Sequence, residues 1–186
     1  MVEVGKLLER VAEGDKRAFE ILFSIHQARF LAVAEAITGN RSSAEDAVQE
    51  AFVRVLRFAA DADGRKDPSA WLFRICVNCA KDEVARRRGR RGWEELRGDL
   101  TRTESFGAPE AAAMAEEERE LVTEEIRRLR PDLRTVLTLR FTADLSYEQI
   151  AGVLGVPLGT VQSRLHSAVG ELREAVAQRV RKGQAG

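Results

Sequence analysis

The stretch DLSYEQIAGVLGVPLGTVQSRLHSAVGEL, residues 144–172, predicts two helices joined by a tight turn. Ser146 and Gln149 form the Ser-x-x-Gln pattern of a capping box, in which each side chain bonds to the other residue's backbone. Gly155 suits the left-handed position that follows a helix, because a residue without Cβ adopts it at little cost. Pro157 fits the first turn of the next helix. The stretch therefore predicts a helix-turn-helix.

The second of these helices has an apolar stripe and a polar outer face. Four apolar residues recur at helical spacing and predict one buried stripe: Val161, Leu165, Val169 and Leu172. Polar residues near the start of such a helix contact base edges and phosphates in the major groove. The candidate DNA-binding residues here are Thr160, Gln162, Ser163, Arg164, His166 and Ser167. A helical hairpin without DNA-binding function is the alternative, and the cap, turn and polar register together favour the DNA reader.

The sequence outside this stretch also has helical patterns, and it contains neither a strand pattern nor an internal repeat. Hydrophobic residues make up 44% of the 186 residues and aromatic residues only 6%, which suits small helical domains rather than one large core. Residues 89–109 contain Gly, Thr, Ser and Arg without a clear period, which is typical of a linker, and we assign the linker to residues 92–112. We therefore predict an all-α fold with two small helical domains, residues 1–91 and 113–182, joined by a flexible linker.

Local signals place further helix boundaries. Ser42 and Glu45 predict a second capping box, and Pro68 predicts another helix start. The helix after Ser42 is expected to bury one side, formed by Ala47, Val48, Ala51, Phe52, Val55 and Leu56. A polar loop is expected between the two helices, over residues 59–66.

Charge and cysteine content narrow the function classes. The chain has 30 basic and 30 acidic residues, so it lacks the overall positive charge of many nucleic-acid binders. Cys76 and Cys79 form a lone Cys-x-x-Cys pair with no second pair to complete a zinc site. We expect two small buried residues, and a thiol sensor remains the alternative. No metal, cofactor, secretion signal or membrane-spanning run is predicted, which indicates a cytoplasmic protein.

The segment PSAWLFRICVNCAKDEVARRRGRR, residues 68–91, places basic groups beside an aromatic ring and an amide on one helix. Cations neutralise phosphates, an aromatic ring stacks on a base, and an amide hydrogen-bonds to an unpaired base. The candidate residues for melted DNA are Trp71, Arg74, Asn78, Lys81, Asp82, Arg86 and Arg87. A solvated, Arg-rich helix end that favours the helix dipole is an equally good reading of the composition alone.

Taken together, these segments resemble the extracytoplasmic-function (ECF) sigma factors, a compact branch of the bacterial sigma-70 family. The resemblance covers nearly the whole chain outside the linker. Four strings carry it, in this order and spacing: GDKRAFEILF (14–23), SAEDAVQEAFVRVLR (43–57), WLFRICVNCAKDEVARRRGRR (71–91) and LRTVLTLRFTADLSYEQIAGVLGVPLGTVQSRL (133–165). The sequence departs from many relatives at Gln162, where they have a basic residue.

The resemblance implies a promoter-specificity subunit of RNA polymerase that is not itself an enzyme. Residues 1–91 would correspond to sigma region 2, which reads the −10 element as melted strand, and residues 113–182 to region 4, which reads the −35 element as duplex. Loop 59–66 would hold a flipped base. The residues implied in docking on the clamp coiled coil of core polymerase are Asp46, Gln49, Glu50 and Arg54. Residues 131–141 would pack against the polymerase flap.

The resemblance also implies a free monomer that is held inactive by an anti-sigma factor. Two rival functions follow from the same residues. One is an ordinary helix-turn-helix repressor or activator that binds duplex DNA without polymerase. The other is a redox sensor that uses Cys76 and Cys79.

Overall fold

The structure, a computed structural model, describes residues 3–62, 67–94 and 113–183. Throughout those ranges the chain forms α-helices without any strand, so the predicted all-α fold of two helical domains is confirmed. The helices are α1 (Val4–Ala12), α2 (Lys16–Thr38), α3 (Arg41–Phe58), α4 (Pro68–Glu94), α5 (Ala113–Arg128), α6 (Pro131–Phe141), α7 (Tyr147–Leu154) and α8 (Leu158–Gly183). A 3-10 turn, Ala59–Ala62, follows α3. Residues 63–66 of the predicted loop and 95–112 of the predicted linker lie outside the described residues.

Helices α1 to α4 pack around a cluster of aromatic rings. The Phe30 ring lies 5.1 Å from that of Phe52 and 5.3 Å from that of Phe73, centre to centre. His26 joins the cluster at 5.7 Å from Phe30, and only 3% of its surface is exposed. Ring pairs at these separations add to the burial of apolar area, so the cluster holds α2, α3 and α4 together.

Helix α2 has the length and composition of a membrane span, with a mean hydropathy of 1.2. This differs from the expectation that no apolar run is long enough to cross a bilayer. In the structure the apolar residues Leu22, Phe30 and Val33 are fully buried against the neighbouring helices. A core helix with this burial meets the same length and hydropathy criteria, so the finding is weak support for a span.

The start of α3 differs from the prediction. The helix begins at Arg41, and its cap is Asn40, whose side-chain oxygen accepts a hydrogen bond from the Ser43 backbone N–H at 2.9 Å. The predicted Ser42 cap is therefore wrong by two residues. Gly39 ends α2 with a positive φ of 77°, so the chain can turn at once and Asn40 is already in the extended conformation of a cap.

Helix α6 lies between the two halves of the molecule. One of its faces, with Leu133 and Leu137, forms a small apolar cluster with Leu129, which directly follows α5, and Ala168 of α8. Its other face contributes to a larger cluster that also contains the core of α1 to α4. The two helical domains are therefore in direct contact, and α2 packs on α6 while α4 packs on α7.

Candidate nucleic-acid interface

The helix-turn-helix forms as predicted. The Ser146 hydroxyl accepts a hydrogen bond from the Gln149 N–H at 3.2 Å, and the Ser146 N–H donates to Gln149 Oε1 at 2.6 Å. Gly155 adopts a left-handed φ of 70° and closes α7. These contacts satisfy backbone groups that a helix end otherwise leaves unpaired, and they orient α8 relative to α7.

The buried stripe of α8 differs from the prediction at one position. Val161, Leu165 and Ala168 are buried, whereas Val169 is 38% exposed. With 3.6 residues per turn, a stripe that starts at Val161 returns at positions 165, 168 and 172, so position 169 has rotated away from the core. The predicted burial of Val169 is therefore wrong.

Four of the six predicted recognition residues are fully on the surface of α8, namely Gln162, Ser163, His166 and Ser167. Thr160 and Arg164 are half-buried. The Arg164 Nε lies 3.5 Å from Asp132 Oδ2 in the first turn of α6. This ion pair holds the arginine beside the recognition surface and competes with a phosphate for the same guanidinium.

Sequence reasoning missed an apolar groove beside this surface. Phe141, an apolar residue at the end of α6, is 70% exposed. The groove is lined by Phe141, Tyr147, Gln162, Leu165, His166 and Val169. Phe141 is the last residue of α6, and the chain turns away from it at this point. Its exposure therefore could not be predicted from the spacing of apolar residues alone.

Helix α4 presents five of the seven predicted residues for melted DNA to solvent: Arg74, Asn78, Lys81, Asp82 and Arg86. Trp71 was expected on the same face, but it is only 8% exposed. The first half of α4 lies in the core of its domain, where Leu72, Phe73, Val77 and Ala80 are also buried. In this conformation the Trp71 ring belongs to the core and does not offer a stacking surface.

Arg86 and Arg87 have a structural partner that the sequence did not reveal. Both guanidinium groups form ion pairs with Glu83, whose side chain is only 1% exposed. The Ser43 hydroxyl at the start of α3 lies 3.5 Å from Glu83 Oε1. A buried carboxylate requires charged or hydrogen-bonding partners, so these arginines support the fold as well as adding positive charge to the surface.

The outer face of α3 is polar at its start and apolar further along. Asp46, Gln49 and Glu50 are exposed, as the predicted docking surface requires. Val53 and Leu56 are each 49% exposed on the following turns, so the predicted burial of Leu56 is wrong. Apolar side chains at adjacent turns of a polar helix face are typical of a helix-binding surface.

Arg54 connects this face with α4. Its guanidinium bonds to Glu50 Oε1 at 2.7 Å and to Asp82 Oδ2 at 3.2 Å. The hydrogen bond to Glu50 raises the pKa of Arg54 further above its usual range. The outer face of α3 and the exposed face of α4 therefore form one continuous surface.

The two cysteines lie in the core of α4. Burial raises the pKa of the Cys76 thiol far above its usual range and that of Cys79 to about 11. Because the thiolate is the reactive form, both thiols are poor candidates for redox sensing. Over the described ranges, no group of three or more metal-ligating side chains is arranged to hold an ion.

The chain is similar to known proteins over both helical domains. Residues 22–90 match the sigma-70 region 2 family and residues 119–172 match the sigma-70 region 4 family. The chain is 37% identical to the RNA polymerase sigma-H factor of Pseudomonas aeruginosa over 180 residues, covering 92% of this chain and 90% of that protein. It is 34% identical to the ECF RNA polymerase sigma-E factor of Escherichia coli over 183 residues, covering 94% and 92%.

Two solved structures have a similar fold. The sigma factor RpoE in complex with the anti-sigma factor NepR from Bartonella quintana has a TM-score of 0.71 at 22% identity, covering 86% of this chain and 96% of that chain. CnrH in complex with the cytosolic domain of CnrY has a TM-score of 0.63 at 24% identity, covering 94% and 97%. The chain belongs to the ECF branch of the sigma-70 family, the non-enzymatic factors that direct transcription initiation by RNA polymerase.

Proposed function

We propose that this sigma factor docks on core polymerase through the outer face of α3, reads the −10 element as melted strand through α4, and reads the −35 element as duplex through α8. The observation that carries the proposal is the continuous surface formed by α3 and α4, joined by the Arg54–Asp82 ion pair at 3.2 Å. A polymerase-docking face beside a strand-binding face would hold melted DNA against the enzyme that transcribes it.

Reading of the −10 element rests on the exposed side chains of α4. Arg74 and Lys81 carry positive charge for phosphates, and the Asn78 amide can both donate to and accept from the edge of an unpaired base. Arg86 and Arg87 would add charge while they remain paired with Glu83. The buried position of Trp71 supports a packing role, and stacking by its ring would require it to leave the core.

Reading of the −35 element rests on the start of α8. Gln162 can form two hydrogen bonds with adenine, and Ser163 and Ser167 can contact bases or phosphates. His166 and the neighbouring groove add an aromatic and apolar surface that suits thymine methyl groups. The start of α8 carries little positive charge. This fits a DNA-binding helix whose affinity for the promoter is supplemented by polymerase.

The proposed partners are core RNA polymerase, promoter DNA and an anti-sigma factor. The clamp coiled coil would contact Asp46, Gln49, Glu50 and Arg54, and the flap would contact α6 and its neighbours. The similar solved structure of RpoE contains that sigma factor together with the anti-sigma factor NepR, which supports an anti-sigma factor for this chain. The free protein is proposed to be a cytoplasmic monomer with domains at residues 1–91 and 113–182.

Run-off transcription with purified core polymerase on a promoter library tests the proposal. The chain is expected to start transcription from a defined set of promoters that core polymerase alone does not use. A gel shift without polymerase separates this function from that of a repressor. Tight, specific binding of duplex promoter by the free chain would favour the repressor instead.

Asn78→Ala is expected to slow open-complex formation about tenfold, because loss of a hydrogen bond to an unpaired base removes roughly 1–1.5 kcal/mol. Initial binding to the −35 duplex should remain within about twofold of the parent. Permanganate footprinting on a closed duplex promoter and on the same promoter with a pre-melted −10 bubble provides the measurement. Because the contact is to an unpaired base, the variant should be impaired on the pre-melted template as well, and parental behaviour on that template would contradict the assigned role.

Arg164→Ala is expected to weaken −35-dependent promoter binding about tenfold, since charge-assisted contacts to DNA contribute roughly 1–3 kcal/mol. Asp132→Asn is the matched control, because it removes the carboxylate that competes for Arg164 at 3.5 Å. Fluorescence anisotropy with holoenzyme and −35 duplex should show weaker binding for the first variant and equal or tighter binding for the second. Weaker binding in both variants would mean that Arg164 acts only through its ion pair.

A further inference from the structure

Two buried carboxylates differ in what their ion pairs connect. Glu83 and Glu125 are the only acidic residues buried among those that the structure describes, at 1% and 6% exposure. Glu125 pairs with Arg128 of α5 and with Arg179 of α8, so it joins two helices. The arginines that pair with Glu83, by contrast, both follow it within α4. These two ion pairs therefore do not join helices, although the Ser43 hydroxyl connects Glu83 to α3 at 3.5 Å.

A buried carboxylate is costly, and its ion pairs offset that cost only in part. Replacement of a buried ion pair by an apolar side chain of similar volume is often neutral for stability. What the carboxylate of Glu83 does provide is a fixed anchor, because a side chain packed in the core keeps one position. Two arginines bonded to this anchor lose much of their freedom before any ligand binds.

Both arginines remain accessible while they are paired. The Arg86 side chain is 60% exposed and that of Arg87 is 36% exposed. Arg86 bonds to Glu83 through Nη2, and the Arg87 Nε lies 3.3 Å from Glu83 Oε1. A guanidinium has five N–H donors, so each arginine can bond to a second anion while its pair with Glu83 persists. Phosphate oxygens match this fork of donors.

Arg86 lies at the end of the surface proposed to contact the melted −10 strand. At a spacing of four residues, it continues the exposed stripe of α4 that begins at Arg74 and includes Asn78 and Asp82. The helix rises about 18 Å from Arg74 to Arg86, so these two arginines can contact different phosphates of one strand. Asp82 within the stripe is itself paired with Arg54 at 3.2 Å, which reduces its repulsion of phosphates.

We propose that Glu83 is a positioning residue, which holds Arg86 and Arg87 as a preformed clamp for phosphates of the melted −10 strand. This role rests on the proposed reading of that strand by α4. An arginine that is already ordered loses less side-chain freedom on binding, so the clamp binds phosphate more tightly than two mobile arginines would. Glu83 itself does not contact DNA, because its side chain is buried.

Removal of Glu83 separates positioning from charge, because the two effects have opposite signs. Loss of the carboxylate in Glu83→Met adds one positive charge to the chain. Through charge alone, this variant would bind single-stranded DNA more tightly and with a steeper dependence on salt. Through positioning, the same variant binds more weakly although its charge is more favourable.

The variants remove the anchor, the clamp or both. Glu83→Met keeps the volume of the side chain and removes both acceptors, whereas Glu83→Gln keeps one acceptor and should have a smaller effect. Arg86→Gln with Arg87→Gln removes the clamp, and the two amides can still donate to Glu83. A triple variant combines this pair with Glu83→Met. Glu20→Gln, at an exposed position of α2, is the control for the same change of net charge.

Holoenzyme binding is measured by fluorescence anisotropy with a labelled single strand that covers the −10 element of a promoter found by run-off transcription. Glu83→Met is expected to weaken binding about fivefold, the effect of ordering one long side chain on binding. Glu83→Gln should weaken it roughly twofold, and Glu20→Gln should leave it equal or slightly tighter. Once Arg86 and Arg87 are both replaced, Glu83→Met should have no further effect.

Nitrogen-15 relaxation of the arginine Nε–H groups in the free chain measures the positioning directly. Arg86 and Arg87 are expected to have higher order parameters in the parent than in Glu83→Met, since the carboxylate fixes both guanidinium groups. Circular dichroism and thermal unfolding establish that each variant is folded. Glu83→Gln takes the place of Glu83→Met if the latter does not fold, because both are expected to change binding in the same direction.

Equal or tighter strand binding by folded Glu83→Met would overturn the positioning role, since charge alone would then explain the result. The same loss in the presence and in the absence of Arg86 and Arg87 would also overturn it, because Glu83 would then act through the fold. Failure of the parent to bind the strand would instead contradict the proposed −10 reading, and the clamp would lose its ligand with it.

Discussion

Truncation of the apolar patch on α3, by Val53→Ala together with Leu56→Ala, is expected to weaken binding to core polymerase about 30-fold or more. The physical reason is that full burial of a Val or Leu side chain contributes roughly 1.5–3 kcal/mol, so covering the exposed half of both side chains contributes about 2 kcal/mol together. Both side chains are 49% exposed in the free chain, so their truncation leaves no cavity in the core. The unfolding free energy should change by less than about 1 kcal/mol.

Competition binding to core polymerase, with thermal unfolding measured in parallel, checks this prediction. Asp46→Ala with Gln49→Ala, on the polar part of the same face, should weaken binding less, by about tenfold, because exposed polar contacts contribute less than buried apolar ones. Ile25→Ala is the matched control, since Ile25 is an exposed apolar residue (37%) on α2 rather than α3. Normal holoenzyme assembly by the Val53/Leu56 variant would place the polymerase contact elsewhere.

Acidification from pH 7 to pH 5 is expected to lower the free energy of unfolding by about 2 kcal/mol through His26 alone. Burial, with a smaller contribution from the charge of Arg29, lowers the pKa of His26 from its ordinary 6.5 to about 4. At a pH between these two pKa values, His26 binds a proton in the unfolded chain but not in the folded chain. Stability is therefore lost as the pH falls below 6.5, and the loss is complete below about 4.

Urea unfolding of the parent and of His26→Leu at pH 7 and pH 5 provides the measurement. Leucine has a similar volume and no titrating group, so the variant should lose about 2 kcal/mol less than the parent on acidification. It should also be more stable at pH 7, because neither ring nitrogen of His26 has a hydrogen-bond partner among the described residues. Identical pH dependence of the unfolding free energy in the two proteins would show that the pKa of His26 is the same in the folded and unfolded chain.

Local signals in the sequence were sufficient for the helix-turn-helix. The Ser146–Gln149 capping box and the left-handed Gly155 are decided by residues at most four positions apart, so their spacing carries the whole prediction. Helical periodicity also identified the buried residues Val161 and Leu165, and with them the polar face of α8. The all-α fold class follows from the same repeated spacing, which depends on helix geometry and not on tertiary neighbours.

The burial of particular faces depended on what each helix packs against. Periodicity assigns a side chain to one direction around a helix, but a partner distant in sequence decides whether that direction is covered. Trp71 is buried although its face is polar, and Leu56 is exposed although it adjoins an apolar stripe. Likewise Gln149 was predicted as a local cap, yet its second hydrogen bond goes to Asp67, 82 positions earlier in the chain. The sequence identified both helical domains from short-range spacing, whereas their contact arises from side chains that only the folded chain brings together.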